Sequence, residues 1–190
     1  MLPFRPLLTR DLQGWRMAGA GSFRVTDDGL FESEGGHGLL WYADEAFDDV
    51  VLQVRWRLSG PEDNSGVFLR SPALADDPAP AIAHGYEVQI DDRGVDPEDD
   101  RLGSPLHLTG AIYKLAPATR QLSRPVGAWN EFLITARGDS IAVMLNGEEA
   151  SWLERGTRRR RGHLALQCHH PGSRVQFAQV GIAPLAAGEP

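Results

Sequence analysis

Gly85-Tyr86-Glu87-Val88-Gln89-Ile90-Asp91 alternates without a break, with Tyr86, Val88 and Ile90 on one side and Glu87, Gln89 and Asp91 on the other. Successive side chains of a β-strand point to opposite faces, so the spacing predicts a strand with one apolar face against a core. The other face carries carboxylate, amide and carboxylate in a row. A rigid strand that holds polar groups in fixed positions around a ligand has a use for such a row. Taken alone, the strand fits an ordinary outward face equally well.

Working outward, the longest strand signal is at 49–59, where Val50, Leu52, Val54, Trp56 and Leu58 alternate with Val51, Gln53, Arg55 and Arg57. The segment 64–70 puts Val67 and Leu69 on one face and Phe68 and Arg70 on the other. Residues 129–137 and 140–145 read as a hairpin about Gly138-Asp139, and Asn146-Gly147 is a further tight turn. In 163–168, Leu164, Leu166 and Cys168 point inward and Ala165 and Gln167 outward, and 175–182 is a closing strand. The stretches 71–84, 92–104 and 116–125 read as surface loops, and 184–190 as a flexible tail. Without repeats or an internal boundary, residues 1–190 form one domain.

Gly 21 and Pro 13 mark many turns between short strand signals, which favours an all-β sandwich or barrel. The formal net charge of −7 argues against a nucleic-acid partner, because phosphate contacts need a positive surface. The basic run Arg158-Arg159-Arg160-Arg161 sits among turn residues of an acidic protein and reads as surface. Cys168 is the single cysteine, so no internal disulfide forms and nothing marks an oxidising compartment. Residues 1–14 hold no signal-peptide apolar run and no stretch reaches membrane-spanning length. The expectation is a cytoplasmic protein without a membrane partner.

An ordered set of segments carries a resemblance: Asn64-Ser65-Gly66-Val67-Phe68-Leu69-Arg70, the strand at 85–91, Thr109-Gly110-Ala111-Ile112-Tyr113, Trp129-Asn130, Leu145-Asn146-Gly147 and Leu166-Gln167-Cys168-His169. In order and spacing the chain resembles the 3-keto-disaccharide hydrolase domain family, long catalogued as a domain of unknown function. The resemblance covers nearly the whole chain, from Trp15 and the turn at 27–31 onward. It implies a two-sheet antiparallel jelly-roll sandwich similar to the concanavalin A-like lectins and glucanases, with a carbohydrate or glycoside on the concave sheet. It also points to Arg70, Glu87, Gln89, Asp91, Tyr113 and His169 as site residues. The chain departs from the pattern at His170 and Lys114, where glycine is usual, at Ala178-Gln179, and at Asp92, a second acid after Asp91.

Glu87 and Asp91 are four residues apart on one strand, so their Cα atoms should stand about 13 Å apart at ~3.3 Å per residue. That disfavours a paired-carboxylate glycosidase, which needs its carboxyls within about 5–9.5 Å. The family name suggests another route: a ketone at C3 acidifies the C2 hydrogen, a base removes it, and the group at C1 is expelled before hydration. That chemistry needs a base, an acid for the leaving oxygen and a group that stabilises the enolate. Glu87 and His169 are the expected base and acid in either order, and Arg70 the stabilising charge. Gln89, Asp91, Tyr113, Lys114 and Asn64 would contact the substrate.

No cofactor is expected. Calcium at Asp91, Asp92, Asp96, Glu98, Asp99 and Asp100 is an alternative reading of an acidic loop that is otherwise simply solvated. Two further readings of the whole chain stay open. One is a non-catalytic carbohydrate-binding module, with Trp41, Trp56, Phe68, Trp129 and Trp152 to be divided between core and stacking platforms. The other is a family member recruited to a different small molecule, such as a biosynthetic intermediate.

Overall fold

The alternating run at Val50–Leu58 becomes a central strand of the larger of two sheets. A computed structural model describes residues 3–185. In chain order the strands are β1 (Arg5–Pro6), β2 (Trp15–Gly19), β3 (Ser22–Val25), β4 (Phe31–Glu34), β5 (Gly38–Tyr42), β6 (Val50–Leu58) and β7 (Ser65–Ser71). After one short helix, α1 (Ala79–His84), come β8 (Tyr86–Ile90), β9 (Asn130–Arg137), β10 (Ser140–Leu145), β11 (Glu148–Leu153), β12 (His163–Cys168) and β13 (Val175–Pro184). The larger sheet runs β11-β10-β9-β6-β13-β4-β3, with β1 also paired to β13, and the smaller runs β2-β5-β12-β7-β8. Every strand pairing is antiparallel.

The inward faces of both sheets share one core. Val50, Leu52, Val54, Trp56 and Leu58 of β6 meet Val67 and Leu69 of β7 and Tyr86, Val88 and Ile90 of β8. Trp56 and Phe132 pack with ring centroids 5.2 Å apart. Asn146 and Gly147 take φ values of 55° and 88°, the left-handed pair that a two-residue hairpin turn requires between β10 and β11. Among the described residues no helix is long and apolar enough to cross a membrane.

Three elements lie where loop or no strand was expected, of which β1, two exposed residues, is too short to show a period. β11 hides its period because its register with β10 shifts between Val143 and Met144, giving two exposed and then two buried residues in a row. α1 falls in the Ala- and Pro-rich segment read as loop and has no side-chain cap. A helix this short is marginal alone; it is held by Ala81, fully buried in a second cluster with Trp41, Phe68 and Ala165 on the outer face of the smaller sheet. At the end of the chain Pro184 closes β13, and the Leu185 amide donates to the Asp49 carbonyl at 2.9 Å. Residues 186–190 of the expected tail lie outside the described residues.

Candidate active site

The outer face of the smaller sheet carries a cleft of about 350 Å³ lined by His37, Asn64, Ile82, Glu87, Gln89, Val95, Pro97, Asp100, Tyr113, Gln167 and His169. Its floor follows from strand register. β7 lies between β12 and β8, with Phe68 opposite Glu87 and Gly66 opposite Gln89. Because Val67, Val88 and Leu166 face the core, Glu87, Gln89 and Gln167 must face outward. Asn64 joins them from the residue before β7.

Asn64, Gln89 and Gln167 are all buried, and one oxygen on each (Oδ1, Oε1 and Oε1) has no hydrogen-bond partner. Buried acceptors left unpaired are costly, so three at one site call for a ligand that brings donors. Glu87 lies among them. Burial pushes its carboxyl up to about 8, against the pull of a hydrogen bond from Gln167 and the charge of Arg158. At neutral pH this group therefore carries a proton and donates. A Cβ built on Gly66 would lie 2.3 Å from Glu87 Oε1, so the carboxyl occupies the space that any other residue there would fill.

Loops build the walls. Ile82 of α1 stands on one side, and Val95, Pro97 and Asp100 of the acidic loop on another. The loop at 92–104, expected to face solvent only, is thus part of the site. The segment 109–113 runs along the free edge of β8, where the Tyr113 amide donates to the Glu87 carbonyl at 2.9 Å and the Gly110 amide to that of Gln89 at 2.9 Å. These bonds set the Tyr113 ring in the cleft, edge-on to His107 with centroids 5.0 Å apart. Desolvation, followed by the charge of Glu87, raises the Tyr113 phenol, which stays protonated.

His37 and His169 form the rim, their rings edge-on with centroids 6.5 Å apart. Crowding by protein, then His170 and His37, lowers the His169 pKa to about 4. Its exposed edge returns part of that lost solvation, and with or without it the imidazole is neutral at pH 7.

The structure brings Glu87, Gln89, Asn64, Tyr113 and His169 together, but not Arg70, Asp91 or Lys114. Arg70 is the largest correction. From Phe68 to Ser71 β7 advances three residues while β12 advances two, from Ala165 to His163, so β7 bulges. Arg70 takes a left-handed φ of 55° within that bulge and is only 2% exposed. Its guanidinium crosses to the other sheet, donating to the Gly138 carbonyl at 2.8 Å and to Asp49 Oδ1 at 3.3 Å. Asp91 is fully buried as a support: it accepts from Asn64 Nδ2 at 3.2 Å and from the amides of Arg93 at 3.0 Å and Val95 at 3.1 Å. Lys114 lies outside the cleft lining, its ammonium 5.8 Å from the Tyr113 ring centroid and 3.7 Å from Glu98.

Several contributors escaped the sequence reading. Alternation turns Gln167 outward but does not pair it with Glu87, two strands away. His37 sits in a glycine-rich loop with no pattern of its own. Arg158, from the run read as surface, donates through its side chain to the Ile82 and Gly85 carbonyls and through its amide to Tyr86 Oη, fixing the end of α1. None of the five aromatics weighed as stacking platforms lines the cleft. Trp41, Trp56 and Phe68 are buried, Trp129 lies beside the Arg55 and Arg57 guanidinium groups, and Trp152 is exposed on β11.

Among the described residues no three His, Cys, Asp or Glu side chains are grouped to hold a metal ion. Of the acids named for calcium, Asp92 accepts from Thr109 and Asp96 from Arg101, while Asp100 lines the cleft.

Among solved structures, the fold is similar to that of a candidate glycosyl hydrolase from Parabacteroides distasonis, with a TM-score of 0.77 and 20% identity over 92% of this chain and 90% of that one. It is also similar to a carbohydrate binding module from Bacillus subtilis, with a TM-score of 0.62 and 14% identity over 90% of this chain and 95% of that one. The lumenal domain of VIP36 in its Ca2+/Man3GlcNAc-bound form gives a TM-score of 0.61 and 13% identity over 93% and 86%. These likenesses establish the concanavalin-like sandwich. No curated protein matches the chain. The sequence profile of one family matches residues 3–183, nearly the whole length, and the chain accordingly belongs to the 3-keto-alpha-glucoside-1,2-lyase-like domain family.

Proposed function

We propose that the cleft binds an uncharged glycoside and cleaves it by elimination when C3 of the sugar is a ketone. The observation that carries this reading is the set of unpaired buried oxygens on Asn64, Gln89 and Gln167 beside a protonated Glu87. Sugar hydroxyls supply the donors those oxygens lack. Among the described residues no lysine or arginine lines the cleft, and Asp100 does, so an anionic sugar finds no counter-charge there.

The protonation states assign the roles. Neutral His169 takes the C2 hydrogen as a proton, and the C–H electrons form the C2–C3 double bond of an enolate with its charge on the C3 oxygen. As the C3 carbonyl re-forms, that electron pair moves to C1–C2. The C1–O bond breaks, and the departing oxygen takes the proton of Glu87. Water then adds to the unsaturated keto-sugar, and solvent returns the two residues to their starting states. The enolate charge that Arg70 was expected to meet falls instead to neutral donors, the Tyr113 phenol and the Gln89 amide. The buried thiol of Cys168 needs no oxidising compartment, and cytoplasmic residence is part of this proposal.

Lack of a guanidinium at the enolate favours a second reading, a binding module without catalysis. Incubation with p-nitrophenyl 3-keto-glucoside and its unoxidised counterpart separates the two. The elimination reading expects nitrophenol from the keto-glycoside alone, and loss of that release in Glu87→Gln. Binding of both without release establishes the module.

A further inference from the structure

We propose that Gln167 is a positioning residue for Glu87, its amide reaching across the glycine gap in β7 to support the carboxyl both as acid and as carboxylate. The proposal rests on the elimination reading above.

Glu87 on β8 and Gln167 on β12 are separated by the whole of β7. Neighbouring strands lie about 4.8 Å apart, so strands flanking a third stand roughly 9.6 Å apart. Side chains from the two outer strands meet only if the middle one presents nothing between them. Gly66 provides that gap: a Cβ there would come within 2.3 Å of Glu87 Oε1, 2.9 Å of its Cγ and 3.0 Å of its Cδ. The carboxyl leans over the β7 backbone, and Gln167 stands on the far side of that strand in the same cleft lining, where its amide draws the Glu87 pKa down. Gln167 Oε1 remains buried and unpaired.

An amide is suited to this place because one end donates and the other accepts. During elimination Glu87 begins as a carboxylic acid, which offers a proton, and ends as a carboxylate, which only accepts. The Gln167 NH2 donates to the carbonyl oxygen of the acid and more strongly to the carboxylate, while its own oxygen stays free to accept from the sugar. A fixed cation would favour the carboxylate from the start, and a fixed acceptor would hold the proton back. Arg158, the cation that acts on Glu87, is tethered to the Ile82 and Gly85 carbonyls. The other titratable groups sharing the cleft are Tyr113, His37, His169 and Asp100.

The test uses the full chain labelled with 13C at glutamate side-chain carboxyls, with the Glu87 resonance assigned by its loss in Glu87→Gln. Its titration is followed in the wild type, Gln167→Leu, Gln167→Met and the control Gln89→Leu. Both Gln167 variants are expected to raise the Glu87 midpoint by about half a pH unit or more, and Gln89→Leu to leave it in place. The alkaline limb of nitrophenol release from p-nitrophenyl 3-keto-glucoside should move with it. A midpoint and limb unmoved in whichever Gln167 variant folds overturn the proposal while leaving the elimination reading intact. A moved midpoint with no release by the wild type overturns the elimination reading, and the catalytic role of Gln167 with it.

Discussion

Asp91 Oδ2 accepts the Asn64 side-chain amide at 3.2 Å and the Val95 backbone amide at 3.1 Å, joining a floor residue of the cleft to a wall residue. The carboxylate is fully buried and also takes the Arg93 amide at 3.0 Å. Asp91→Ala would leave these donors facing a cavity, a loss of about 3 kcal/mol. For a chain of this size that is a fall of roughly 6–12 °C in Tm. Scanning calorimetry checks the fall, and ligand affinity should decline with it as Asn64 and the acidic loop lose their anchor. An unchanged Tm would show that Asp91 supports nothing.

Gly66→Ala places a methyl group where the Glu87 carboxyl now lies. The overlap costs about 1–3 kcal/mol, relieved by swinging Glu87 away from Gln167. A displacement of that kind at a proton donor should lower kcat by about tenfold or more, with a smaller change in KM. Steady-state kinetics on a 3-keto-glycoside read the two apart. Full activity in the alanine variant would mean that the carboxyl's present position is not the working one.

These contacts show what a one-dimensional pattern can carry. Period-two alternation put Glu87, Gln89 and Gln167 outward, because side-chain direction follows from strand geometry alone. It failed at Arg70 because one extra residue in β7 inverts the parity beyond it, and a left-handed non-glycine residue leaves no mark in composition. Asp91 had the right parity and the wrong role: being just past β8, it turns to bind the loop that follows. The acidic loop looked solvated since charge reports exposure, whereas its part in the cleft depends on Val95 and Pro97. The Gln167–Glu87 contact lies across three strands, and only the order β12-β7-β8 brings them together.

Stability should fall as pH rises through the Glu87 titration. The folded-state pKa of about 8 exceeds the ordinary 4.5, so between those values the native protein holds a proton that the unfolded chain has released. His169 acts in the opposite direction: its folded value of about 4 lies below 6.5, so its contribution is lost as pH falls through that range. From about pH 4.5 to 6.5 the two slopes oppose each other, and from about 6.5 to 8 Glu87 acts alone. Urea midpoints of the wild type should therefore decline over that upper interval and those of Glu87→Gln should not. Turnover should be confined between the same limits, since the acid is protonated below about 8 and the base neutral above about 4. Parallel declines in both proteins would remove Glu87 as the source.

Arg70→Ala separates support from catalysis most directly. The guanidinium ties β7 to the opposite sheet through the Gly138 carbonyl and Asp49, and the Asp49 carboxylate also accepts the Gly138 amide at 2.9 Å. Removing it empties a buried site at the end of the sandwich and leaves those acceptors to weak solvation, a cost of about 3 kcal/mol. Relief of the left-handed backbone offsets none of this, because alanine is as strained there as arginine, by about 1–2 kcal/mol. Arg70→Gly, which removes that strain, should recover about 1 kcal/mol over the alanine variant. Neither change touches a residue of the cleft floor, so both variants, assayed well below their Tm, should keep wild-type kcat and KM. A kcat loss of about a hundredfold or more in both would return the enolate charge to Arg70 and require β7 to rearrange when substrate binds.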